Sequence, residues 1–223
     1  MGQKMKISVA DLLLESRIPG NYYSKETYVK GDLEMGLLEN HRGDRLLALP
    51  QTLIQGIYAG LDKETGAASR LVLFNCGLWW GKSFFRRFQD EVSGYYGTAL
   101  ADLKMAEFLQ ALRRCWATYG WGKLVFDQSY QTQGFLVIQT WNSAFARQHL
   151  PGDEPACALE AGVLAAFFSE LSGQELSCLQ TSCESLGADS NRFVIGVKSR
   201  LLMAEVLVEQ QTPHLEIMAK LCG

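Results

Sequence analysis

The sequence lacks any apolar run of the roughly 18 to 20 residues that a bilayer-spanning helix needs, so no transmembrane segment is expected. Its start does not look like a secretion signal, because Met1 to Lys6 leads into a short, acid-interrupted stretch over 7–14. Histidine is scarce: His41, His149 and His214 are the three in 223 residues. Each falls in a predicted loop, turn or helix start, at no catalytic spacing from a nucleophile, and reads as solvent-facing. Gly-x-Ser-x-Gly, phosphate-loop and dinucleotide fingerprints are missing, which leaves a reductase without an obvious hydride source. An excess of one charge is missing too. The 21 basic and 24 acidic residues give a net charge of −3, so no field for holding nucleic acid is expected. Arg86-Arg87, Arg113-Arg114 and Asp90-Glu91 read as solvated helix faces, and Asp153-Glu154 as an acidic helix start. The six cysteines, at 76, 115, 157, 178, 183 and 222, are too dispersed for a disulfide scaffold. They read as reduced thiols of a cytoplasmic protein, free in solution or peripheral to a membrane.

Apolar residues make up 48% of the chain, enough for one substantial core. Hydrophobic spacing predicts a helix over 7–16 with Ser8 as a cap, two short strands over 31–49 around a turn at 40–44, and a helix from Pro50 carrying Ile54, Ile57, Tyr58 and Leu61. The compact run 70–76 reads as a strand. A helix follows from Gly77 to Phe88, with Gly77 and Gly81 on one face, open to close approach by another element. Further helices are expected over 101–119, 156–171 and 200–221, the last interrupted near Pro213. Strands are expected over 123–130, 134–142, 175–182 and 191–198. The pattern is α+β, an antiparallel sheet packed against helices.

One stretch is more specific. Cys157, Gly162, Gly173, Gln180, Cys183, Gly187, Asn191 and Phe193 follow one another at spacings that resemble the 4-vinyl reductase, or hydrocarbon-binding, domain family. The likeness spans roughly 70–200. It implies a domain over 66–223 with residues 1–65 as an N-terminal extension packed on it. It also implies the fold of a trafficking-complex subunit with an acyl-chain pocket and of nitric-oxide sensors. Family members include sensory domains of aromatic-responsive regulators and proteins connected with photosystem biogenesis, and the chain is similar to the latter. The likeness supports binding an apolar small molecule, such as a tetrapyrrole precursor or another lipid-like guest, better than catalysis. Two alternatives stand beside it: an interaction module with a self-filled pocket, and a vinyl reductase.

By position, the family's zinc ligands would fall on Cys157, Gln180, Cys183 and Asn191. Two are amides, which bind zinc poorly, so no structural metal is expected. Cys178 lies on the same strand face as Gln180, but two residues away. The pocket is expected between strands 123–142 and helices 101–119 and 156–171, lined by some of Phe108, Leu112, Trp116, Phe126, Leu136, Ile138, Leu164 and Phe167. Phe108 and Leu136 fall where phenol sensors place polar groups, which implies a more apolar guest. The helix 156–171 is rich in Ala and Gly. Those small residues leave room for a ligand unless the backbones close up. A homodimer through Trp79, Trp80 and Phe84 is expected, with photosynthetic assembly proteins as further partners.

Overall fold

The computed structural model describes residues 20–146 and 155–223. The expected helix at 7–16 lies outside them, as do His149, Asp153 and Glu154. The chain opens with a helical turn α1 (Lys25–Tyr28) and a small sheet of β1 (Lys30–Asp32), β2 (Leu37–Glu39) and β3 (Arg45–Leu46) in that order. The turn expected at 40–44 joins β2 to β3. Asn40 forms it: its Oδ1 accepts the amides of Arg42 and Asp44, both at 2.9 Å. Helix α2 (Gln51–Thr65) starts behind Pro50. Then come α3 (Ser69–Tyr96), α4 (Met105–Thr118), β4 (Lys123–Asp127), β5 (Leu136–Trp141), α5 (Ala158–Ser172), β6 (Ser177–Ser182), β7 (Asn191–Gly196), α6 (Lys198–Glu209) and α7 (His214–Cys222).

The main sheet is antiparallel throughout, in the order β4-β5-β7-β6. Side-chain alternation gives it two buried faces. Ile138, Cys178, Phe193 and Ile195 join the larger core with α3, α4 and α5. Val137, Leu179 and Val194 point the other way, onto Leu201, Leu207, Ile217 and Met218 of α6 and α7. The result is three layers with the sheet in the middle.

Residues 70–76 are not a strand. They form the first turns of the 28-residue helix α3. Four consecutive apolar residues carry no period of their own. The wider period decides: Leu73, Gly77, Gly81, Phe84, Phe85, Phe88 and Val92 make one buried stripe along the helix. The glycines in that stripe bring α3 against α5. A Cβ on Gly77 would collide with the carbonyl oxygen of Leu159, and one on Gly162 with that of Phe74. A Cβ on Gly81 would stand 2.6 Å from the Val163 oxygen and 2.8 Å from Ala166 Cβ. The close approach expected at Gly77 and Gly81 is therefore made by α5. The small residues of that helix serve backbone closure on this side.

Three further expectations change. The acidic start of α5 is not at 153–154; the helix begins at Ala158, and its first-turn acid, Glu160, is fully buried. His214 is buried rather than solvent-facing, with Nδ1 2.7 Å from Thr181 Oγ1. Asp90-Glu91 is not a solvated pair: Asp90 is exposed, whereas Glu91 is buried at 2% exposure.

Candidate ligand-binding site

The largest opening is a groove of about 1450 Å³ between the N-terminal segment and the main body. Residues of β2, β3 and α2 line one wall, including Leu38, Leu46, Ile54 and Leu61; α3 contributes Leu73 and Trp80 opposite. Trp121 and Phe145 close the floor, each in edge contact with Trp80, with ring centroids 4.9 and 5.5 Å away. The lining is mostly apolar with a few polar groups, the composition of a small-molecule site. The helical stripe of α2 was legible in the sequence, but not that it would be left half-covered. Tyr58 is buried while Ile57 remains 55% exposed.

The eight residues expected to line a pocket do come together, in the larger core. Phe108, Leu112, Trp116, Ile138, Leu164 and Phe167 are between 0% and 4% exposed, and Phe126 and Leu136 pack on the edge of that cluster. Phe167 meets Phe84, Phe85 and Phe88 with centroids 5.3, 5.3 and 5.5 Å away. Leu136 also lines a smaller cleft of about 290 Å³ with Phe168, Leu176 and Ile195. Within the closed cluster, the buried Trp116 Nε1 has no hydrogen-bond acceptor.

The segment that anchors the groove's outer wall is tied down by Glu91. Tyr23 Oη donates to its Oε2 at 2.9 Å, while Tyr28 Oη and Asn40 Nδ2 donate to Oε1 at 3.0 and 2.8 Å. Burial raises the Glu91 pKa, and the two tyrosine hydrogen bonds oppose that shift. Tyr28 also shares a hydrogen bond with Tyr119, over whose ring the Arg87 guanidinium sits at 5.0 Å. Arg87 is half-buried and lines the groove, unlike the exposed Arg86 with which it was paired as a solvated face.

The four family metal positions also meet, but as a hydrogen-bonded knot. Gln180 Oε1 accepts the Cys157 amide at 2.9 Å, and Gln180 Nε2 donates to Asn191 Oδ1 at 3.2 Å. Asn191 Nδ2 donates to Glu184 Oε2 at 2.7 Å. The Cys157 thiol hydrogen-bonds Cys183, which with help from nearby amides brings Cys183 down to about 6 and holds Cys157 well above its usual range. Each amide is used by another protein group, and Cys157 keeps its proton. This set does not fit a structural zinc. Among the described residues, no cluster of three or more His, Cys, Asp or Glu is placed to hold a metal. Cys157, Glu160 and Cys183 line neither the groove nor the smaller cleft.

Glu160 sets a pH dependence. Burial pushes it up to about 7, against a hydrogen bond from Ser143 at 2.6 Å. Its folded pKa exceeds the unfolded one, so its contribution to stability is complete below about pH 4 and lost as pH rises through 7. Glu160→Gln is expected to gain on the parent by about 1 kcal/mol per pH unit between those limits. Denaturant melts of the pair at pH 5, 6 and 7 check it; a constant difference contradicts it. Comparing parent with variant cancels His214, whose depressed pKa of about 4, caused first by burial, gives the opposite slope below pH 6.5.

These features define an α+β protein in which an antiparallel sheet carries helices on both faces and an apolar groove opens beside it. Residues 136–197 match the 4-vinyl reductase domain family. No curated protein matches the chain. Its fold is that of the phenol-responsive sensory domain of the transcription activator PoxR, crystallised with phenol. The TM-score is 0.62 at 13% identity, covering 94% of this chain and all of that one. A vinyl-4-reductase family protein from Methanocaldococcus jannaschii aligns at TM-score 0.44 and 18% identity, over 67% of this chain and 82% of its own. A trafficking protein particle complex subunit 3 from Naegleria fowleri, covalently bound to palmitic acid, aligns at 0.49 and 15%, over 66% of this chain and 95% of its own. No helix among the described residues is long and apolar enough to cross a membrane.

Proposed function

We propose that the protein binds an apolar small molecule in the groove between its N-terminal segment and α3, without catalysing a reaction on it. The groove itself carries this reading: about 1450 Å³ walled by leucine, isoleucine and tryptophan. That volume exceeds the usual range for drug-sized ligands and suits a lipid or a tetrapyrrole. Residues 1–65, read as an extension of the domain at 66–223, supply one wall. On the sequence resemblance alone, we place the protein in the assembly of photosynthetic complexes, in the cytoplasm or at a membrane surface. It acts as a homodimer there: Leu53, Leu71 and Trp79 are 48%, 63% and 82% exposed and offer an apolar face.

Gly56 and Gly60 of α2 allow a direct test. Both line the groove, and a Cβ at either would meet nothing within 4 Å. Filling open space in a helix interior costs little, and replacing glycine there contributes up to about 1 kcal/mol. Gly60→Phe is therefore expected to melt no lower than the parent while losing uptake of a hydrophobic fluorescent probe. Equal uptake by parent and variant would move the site elsewhere.

The inner cluster of Phe108, Leu112, Trp116, Phe126, Leu136, Ile138, Leu164 and Phe167 remains a second site reading, favoured by the acceptorless Trp116 Nε1. A buried donor of this kind calls for an acceptor, and a guest with one oxygen would supply it once the core opened.

A further inference from the structure

We propose that Arg87 is the anion-binding end of the groove, and that the ligand is a long-chain monocarboxylate lying along α3 with its tail away from that end. The proposal rests on the groove being the binding site and adds the chemical class of its occupant. The lining residues of α3 run from Val72 to Arg87. Fifteen residues of helix span ~22 Å. One acyl chain reaches about 15 Å, half of a bilayer's hydrocarbon core, so it fits within that length.

The charges are distributed unevenly. Arg45, Glu64 and Arg87 are the charged groups among the described lining residues. Glu64 stands at the end of α2, beside the start of α3, because only Gly66–Ala68 separates the two helices. Arg87 lies at the other end. Arg45 belongs to the hairpin that Asn40 fixes to Glu91, one turn beyond Arg87. A negative head is therefore favoured at the Arg87 end and disfavoured at the Glu64 end.

Arg87 is also chemically available. Glu91, its natural partner at i+4, already has both oxygens occupied by Tyr23, Tyr28 and Asn40. No carboxylate among the described residues forms an ion pair with Arg87, which rests on the Tyr119 ring. A half-buried guanidinium without an anion leaves a strong, forked donor unused. A carboxylate in the groove would take it bidentately, in water-poor surroundings where such bonds are strongest.

Calorimetric titration with tetradecanoate and tetradecanol, below their aggregation limits, tests this. The two share a tail and differ in head charge. In the parent, tetradecanoate is expected to bind at least about tenfold more tightly, the value of one hydrogen bond to a charged group. Arg87→Gln should remove that margin while keeping tetradecanol binding, and Arg87→Lys should keep part of it. A melting curve of each variant reports its fold, and the parent's own acid-to-alcohol ratio decides the matter if Arg87→Gln does not fold. Equal affinities in the parent, or a margin that survives Arg87→Gln, would overturn the anion-binding end and leave an apolar groove. Binding of neither compound would reject the groove as a binding site altogether.

Discussion

Gly162→Leu is expected to leave almost no folded protein. Helices α3 and α5 touch backbone to backbone, with Gly77, Gly81 and Gly162 at the crossing. A leucine at 162 would drive its Cβ into the Phe74 carbonyl and the backbone of Gly77 and Leu78. Overpacking a core usually costs about 1 to 3 kcal/mol because side chains can yield. Here the obstacle is helix backbone, so the two helices must separate and open the core that Phe84, Phe88 and Phe167 fill between them. We expect a loss above about 4 kcal/mol, a large part of the 5 to 15 kcal/mol that ordinarily holds a domain folded. Gly94→Ala is the matched control, since Gly94 is helical, exposed and has nothing within 4 Å. It should gain up to about 1 kcal/mol. Urea melts of both give the comparison. A Gly162→Leu protein with a near-parental midpoint would mean that the helices do not cross this closely.

Glu91→Ala is expected to cost about 3 to 5 kcal/mol and to release the N-terminal segment. The substitution removes the acceptor of Tyr23, Tyr28 and Asn40 at once, at a residue only 2% exposed. Buried donors left without an acceptor carry their full desolvation cost. The three donors come from the turn before β1 and from the β2–β3 hairpin, so the loss falls on the segment that walls the groove. Limited proteolysis should then cut within residues 20–50 before the rest of the chain. Glu91→Gln keeps the shape and one carbonyl acceptor, and should lie between parent and alanine. Parental stability and protease resistance in Glu91→Ala would show that the segment is held by apolar packing alone.

The same two places show what was readable in the sequence. The four main strands were, because alternation in 136–141 and 191–196 puts apolar residues on both buried faces and turn residues at the ends. The glycines of α3 were readable as a close-approach face, since four-residue spacing is a property of the helix itself. Residues 70–76 were misread because a run of adjacent apolar residues has no period, and only the stripe continuing through Phe88 reveals the helix. Glu91 and Glu160 were opaque for another reason. A carboxylate's burial depends on donors that arrive from 17 to 68 residues away, and local sequence does not encode them. Local sequence is equally silent about the groove. Its walls belong to segments that each look like ordinary amphipathic structure, and the opening exists only in how they meet.

The most direct measurement of the central claim is native mass spectrometry of freshly isolated protein, because it weighs ligand, metal and oligomer together. The account predicts a dimer without stoichiometric zinc, carrying a lipophilic adduct that Gly60→Phe lacks. Bare protein that also takes up no tetradecanoate on incubation would contradict it, and the groove would then be a surface for another protein rather than a site for a small molecule.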